Sequence, residues 1–94
     1  MIRHIVLWKL KDGVSKEDLN KLKEMSENLK KLDGVVSLDF IIDPLETSTH
    51  DLCLHSVFKS KEALDAYQVS PVHLEFGAFL KTLVCERIAY DYVF

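Results

Sequence analysis

Hydrophobic and polar positions alternate from the second residue onward. Ile2, His4, Val6, Trp8 and Leu10 fall on one side of an extended chain, and Arg3, Ile5, Leu7 and Lys9 on the other; this is the two-residue period of a strand. Both sides are largely apolar. Lys11, Asp12 and Gly13 supply turn chemistry, and Ser15 with Asp18 three residues later resembles a capping box that opens a helix. Along that helix Leu19, Leu22, Met25, Leu29 and Leu32 recur at steps of three or four, while Lys16, Asn20, Lys23, Glu27 and Lys31 form the solvated face. Asp33 and Gly34 are expected to end it, because glycine accepts the left-handed conformation common just past a helix C-terminus.

A second strand is predicted from Val35 to about Ile42, with Val36, Leu38, Phe40 and Ile42 facing one way. Asp43 to Thr49 is a polar loop broken by Pro44, and a third strand covers roughly Asp51 to Phe58, paired with the second as a hairpin. Ser60 caps a helix through Leu64 and Tyr67. That helix breaks near Val69, since Pro71 disfavours helical geometry in the residue before it. Pro71 then opens a further helix with Ser70 as its cap, sending Val72, Phe76, Phe79, Leu80 and Leu83 inward. A last strand from Val84 to Phe94 alternates Ile88, Tyr90 and Tyr92 against Arg87, Ala89 and Asp91.

The order β-α-β-β-α-β is the split βαβ arrangement, an α+β ferredoxin-like fold with a four-stranded antiparallel sheet and the helices on one face. The other face is left bare, yet the first strand offers apolar residues to both sides. Removing a Trp or Leu from water contributes roughly 1.5 to 3 kcal/mol, so a second copy of the chain is expected to cover that face as a homodimer, an α+β barrel of two sheets.

Composition narrows the setting. With 94 residues the chain is read as a single domain, 1–94; 48% hydrophobic and 29% charged residues suit a soluble globule. The net charge is −3 and the lysines interleave with Glu17, Asp18, Glu24 and Glu27, so no face presents a positive field to nucleic acid. No apolar run approaches the ~20 residues of a membrane span, and the first ten residues lack a signal-peptide core, so no membrane and a cytoplasmic location are expected. Cys53 and Cys85 are too few for a disulfide framework and are read as buried or semi-buried thiols.

The opening HIVLWKLKDGVS, the stretch GVVSLDF, the segment SKEALDAYQVSPVHLEF and the ending YDYVF together resemble the stress-responsive A/B barrel (Dabb) family, over nearly the whole chain. The resemblance implies a dimeric α+β barrel. It fixes architecture better than reaction, because members include stress-induced proteins, a plant polyketide cyclase (olivetolic acid cyclase) and many proteins without assigned activity. In that cyclase a tyrosine and a histidine six residues apart do the chemistry, and they match Tyr67 and His73. The same resemblance marks His4, Val6, Trp8, Leu38, Phe76 and Gly77 as pocket positions. Departures are Ser70 and Leu52, where the cyclase has histidines, and Leu22 and Ser26 in place of its first-helix aromatics. A pocket moulded to a long polyketide is therefore not implied.

A histidine with an ordinary pKa of about 6.5 can take a proton from the carbon next to a carbonyl. A tyrosine hydroxyl can bond the oxygen that becomes negative. On one unbroken helix residues six apart point to different sides, so the Ser70-Pro71 interruption is what lets Tyr67 and His73 converge. The packing alternative is that His73 caps or packs and Tyr67 plugs the helix break, and His4 likewise admits a lining role. His50, Asp51, Cys53 and His55 invite a metal reading, but Asp51 completes only a poor ligand set, so no metal site and no cofactor are assigned. Arg87 and Asp91 share a side of the last strand with Ala89; if that side faces the partner sheet, the two are expected to form an ion pair or to orient a polar ligand. Two functions remain open: enolisation or cyclisation of a small carbonyl or polyketide-like ligand, or a non-catalytic stress-response assembly. An oxygenase acting on quinol-like substrates is less favoured, given the Pro-x-His pattern.

Overall fold

The computed structural model describes residues 1–94. In chain order the elements are β1 (Ile2–Leu10), α1 (Lys16–Leu29), β2 (Val35–Ile41), β3 (Leu52–Phe58), α2 (Lys61–Val69), α3 (Pro71–Lys81) and β4 (Val84–Val93). Each helix starts on the serine expected of it. Ser15 Oγ accepts from the Asp18 amide, Ser60 Oγ from Ala63 and Ser70 Oγ from His73, each satisfying an N–H that the first helical turn leaves unpaired. Pro71 sits in the first turn of α3, where its missing N–H is no loss.

The strands form one antiparallel sheet in the order β2-β3-β1-β4, with β2 and β3 as the hairpin. This is the ferredoxin-like α+β fold. Alternation decides what is buried: Ile2, His4, Val6 and Trp8 of β1, Leu52, Leu54, Ser56 and Phe58 of β3, and Leu38 and Phe40 of β2 lie beneath the helices. Leu22 and Leu29 of α1, Leu64 and Tyr67 of α2, and Phe76 and Leu80 of α3 close over them. Aromatic rings meet edge to face, Trp8 with Phe40 at 6.0 Å and Phe40 with Phe76 at 5.3 Å between centroids.

Two details depart from the expected pattern. Helix α1 stops at Leu29 instead of running through Leu32, because the amides of Lys31 and Leu32 bond back only three residues, to Asn28 and Leu29, and so tighten the last turn. The chain then reaches Gly34 at φ +84°, where an added Cβ would stand 2.5 Å from the Cβ of Ala63. In β2 the register shifts between Val35 and Ser37, so Val35 takes the inward place opposite Phe58 and Val36 is left 49% exposed. A bulge of this kind re-aims one side chain without disturbing the rest of the strand. The strand ends at Ile41, while Ile42 still packs partly against the core.

The second sheet face carries no helix. Rows such as Ile41–Cys53–Leu7–Ile88 run across it, and Ile88 and Tyr90 are 48% and 69% exposed. On the covered side the helices leave β4 largely open as well, since almost all of its residues remain exposed. That opening positions the site.

Candidate ligand-binding cleft

Between α3 and the β1–β4 side of the sheet lies a cleft of about 370 Å³, within the size range of small-molecule sites. His4, Val6 and Trp8 reach it from β1, and His73, Phe76 and Gly77 from α3. Leu38 does not line it. On β2 that residue is separated from β1 by β3 and is buried in the core at 3% exposure. Residues not singled out as pocket positions from the sequence, among them Gln68, Leu80, Cys85 and Arg87, complete the walls.

Arg87 and Asp91 belong to this side of the sheet, not to the bare face. In the β1–β4 register they stand opposite Trp8 and His4, both helix-facing. The Asp91 carboxylate accepts a hydrogen bond from His4 Nδ1. His4 is 3% exposed, and its carbonyl accepts from Ser56 Oγ at 3.0 Å.

The helix break does bring Tyr67 and His73 together. Their ring centroids are 4.6 Å apart. Ser70 joins them through the backbone: its hydroxyl donates to the Tyr67 carbonyl at 3.0 Å and accepts from the His73 amide at 3.2 Å. His73 Nδ1 donates to the Gln68 carbonyl at 3.0 Å, so Nε2 carries the lone pair. Burial pushes the His73 pKa down, opposed by the Gln68 bond and reinforced by the nearby His4 and Arg87; the neutral base is thus the favoured form at neutral pH. Tyr67 does not itself line the cleft but lies one ring away from it, 2% exposed and packed on Phe58 at 4.8 Å. Burial raises its pKa, so the phenol keeps its proton. Its hydroxyl is buried with no hydrogen-bond partner in the chain.

Gly77 is a second oddity. A glycine inside a helix costs roughly 0.5–1 kcal/mol relative to alanine, yet a methyl group at this position would meet no atom within 4 Å. Packing does not demand the glycine, and the space its missing side chain leaves belongs to the cleft.

The His50, Asp51, Cys53 and His55 run is dispersed by the fold. His50 Nε2 bonds Glu86 at 2.7 Å, Asp51 Oδ2 accepts from the Leu10 amide at 2.8 Å, and Cys53 and His55 lie on β3. No helix is long and apolar enough to cross a membrane.

Fold and cleft together define a ferredoxin-like α+β domain with one uncovered sheet face and a histidine-bearing pocket of ligand size. The chain belongs to the Stress responsive A/B Barrel Domain (Dabb) family, which it matches over residues 2–94. It is 30% identical over 95 residues to the stress-response A/B barrel domain-containing protein HS1 of Arabidopsis thaliana, covering 97% of this chain and 87% of that one. A dimeric ferredoxin-like protein of unknown function from Bacteroides fragilis superposes with a TM-score of 0.87 at 28% identity, covering 99% of this chain and 95% of that chain. The hydroxynitrile lyase of Passiflora edulis shares the fold with a TM-score of 0.84 at 18% identity, covering 99% and 92% of the two chains.

Proposed function

We propose that this Dabb-family protein acts as a homodimer that binds a small carbonyl compound in the α3–β1 cleft and enolises or cyclises it by acid–base chemistry without a cofactor. The observation that carries this reading is the convergence of a neutral His73 with the unpartnered hydroxyl of Tyr67. His73 Nε2 takes the proton from the carbon next to the carbonyl. The C–H electron pair becomes the C=C bond, and the carbonyl pair moves to oxygen. The Tyr67 hydroxyl, buried one ring behind His73, donates to that oxygen once the His73 ring turns to admit the ligand, which supplies the partner it lacks in the free protein. The spacing of Tyr67 and His73 resembles that of the tyrosine and histidine in the family's polyketide cyclase, and this resemblance supports the assignment.

The dimer is supported by the bare face, where Ile88 and Tyr90 stand exposed, and by the dimeric description of the Bacteroides fragilis relative. A second reading, assembly as the function itself, draws on Val69 and Leu74, 71% and 57% exposed on the helical side and outside that face. Sedimentation across concentration separates the two, since the cleft requires no assembly beyond the dimer. For the first reading, thermal-shift titration with aromatic ketones and aromatic acids should show saturable stabilisation. His73→Ala and Tyr67→Phe should lower any turnover detected on those compounds. No stabilisation by any compound, together with unchanged turnover in His73→Ala, would remove its support.

A further inference from the structure

The charges around the cleft do not cancel, and the imbalance selects a kind of ligand. Two carboxylates belong to this region, Glu86 and Asp91, and both are engaged: Glu86 Oε2 with His50 Nε2 at 2.7 Å, and Asp91 with His4 Nδ1. Two cations line the cleft, Arg87 on β4 and Lys81 at the end of α3. Neither takes part in the side-chain contacts to carboxylates in the chain, which are His4–Asp91, Lys30–Glu27, His50–Glu86 and Lys61–Asp65. A guanidinium on the inner face, opposite Trp8 in the register, therefore has no anion of its own. The surrounding wall is mostly apolar, with Val6, Trp8, Phe76 and Leu80 beside it.

A guanidinium fork matches a carboxylate through two parallel N–H···O bonds, whereas an ammonium acts as a point charge. We infer that the cleft takes a monocarboxylate with an apolar or aromatic body, its carboxylate held by Arg87 at the β4 rim and its body laid on Trp8 and Phe76. Lys81 adds attraction at longer range. The inference rests on the reading of the cleft as the ligand site and names the class of compound that enters it. Anchoring at the rim leaves the other end of the ligand free to reach His73.

Calorimetric titration at pH 8 tests the assignment with benzoate, 4-phenylbutyrate and levulinate, the corresponding amides, and phenyl phosphate, on the wild type, Arg87→Gln and Arg87→Lys. The acids should bind about tenfold or more tightly than their amides. Arg87→Gln should abolish that preference without changing amide affinity, Arg87→Lys should keep part of it, and added salt should weaken acid binding. Arg87 is exposed, so its replacement leaves the core intact, and circular dichroism verifies the fold. Equal affinity for acid and amide, no saturable binding of any acid, or acid binding unchanged in Arg87→Gln overturns the assignment. Preference for phenyl phosphate over the acids also overturns it, in favour of a phosphoester. Its failure is separable from that of the acid–base reading. If Arg87 governs acid binding while His73→Ala leaves turnover intact, the anion anchor stands and the chemistry falls. If His73→Ala abolishes turnover while Arg87→Gln binds the acids as the wild type does, the chemistry stands and the anchor falls.

Discussion

Replacing Tyr67 by phenylalanine removes one oxygen atom and separates the two roles a buried phenol can have. The ring is 2% exposed and packs on Phe58 and His73 at 4.8 and 4.6 Å, contacts that phenylalanine keeps. The hydroxyl has no partner, and leaving such a group buried and unpaired costs about 1–3 kcal/mol. Its removal should therefore stabilise the fold, by about 1–2 kcal/mol once the small void left by the oxygen is counted. For a domain of this length a change of 1 kcal/mol moves the melting midpoint by about 4–8 °C, so Tm should rise by several degrees. Thermal melts by circular dichroism at matched protomer concentration measure this, because self-association makes Tm concentration-dependent. In parallel, turnover should fall by about 10²–10³, the usual loss of a donor to a developing oxyanion. A Tm lowered by more than about 4 °C would contradict this, since it would mean that the hydroxyl makes a bond the fold depends on. A raised Tm with unchanged turnover would leave the hydroxyl without a role in the chemistry.

Three further outcomes follow from the same geometry. Gly77→Ala should stabilise α3 by about 1 kcal/mol through helix propensity while weakening ligand binding, because the new methyl enters open cleft space; melts and titration read the two effects separately. Gly34→Ala should destabilise by about 2 kcal/mol or more, since it meets both the left-handed backbone at φ +84° and the Cβ of Ala63, and chemical denaturation at fixed protomer concentration measures the loss. His73 is held by burial below its ordinary value of 6.5, so as pH falls the unfolded chain binds this proton before the folded one. Stability should hold above about pH 6.5 and decline below it towards the lower folded-state value. Melts from pH 8 to 5 should show this slope in the wild type and a flatter one in His73→Gln.

How far the residues alone disclosed this structure follows from the range of the interactions involved. Ser15, Ser60 and Ser70 were legible because a cap is a local bond between a hydroxyl and an amide three residues on. The buried row of β1 was equally plain, since alternation is a property of one strand. Leu38 looked interchangeable with the other inward residues, but the strand order puts β3 between β2 and the strand on which the cleft is built. The side of the sheet on which Arg87 and Asp91 lie depends on their register with Trp8 and His4, nearly the whole chain away. Strict period two points Val36 inward, and a bulge of one residue cannot be seen in that period. The pairing of Tyr67 with His73 needed only the proline that interrupts the helix, but the Ser70 and Gln68 contacts that hold the two rings became visible with the backbone in place.

The proposed function depends most on a neutral imidazole at the cleft removing a proton from carbon. Proton NMR in D₂O, following loss of the signals next to the carbonyl of levulinate and phenylpyruvate at pD 8, measures that step without requiring the natural product to be known. The wild type should exchange these protons faster than buffer, and His73→Ala should return the rate to that of buffer. Exchange at the buffer rate for both compounds in the wild type, or equal acceleration by His73→Ala, would contradict it.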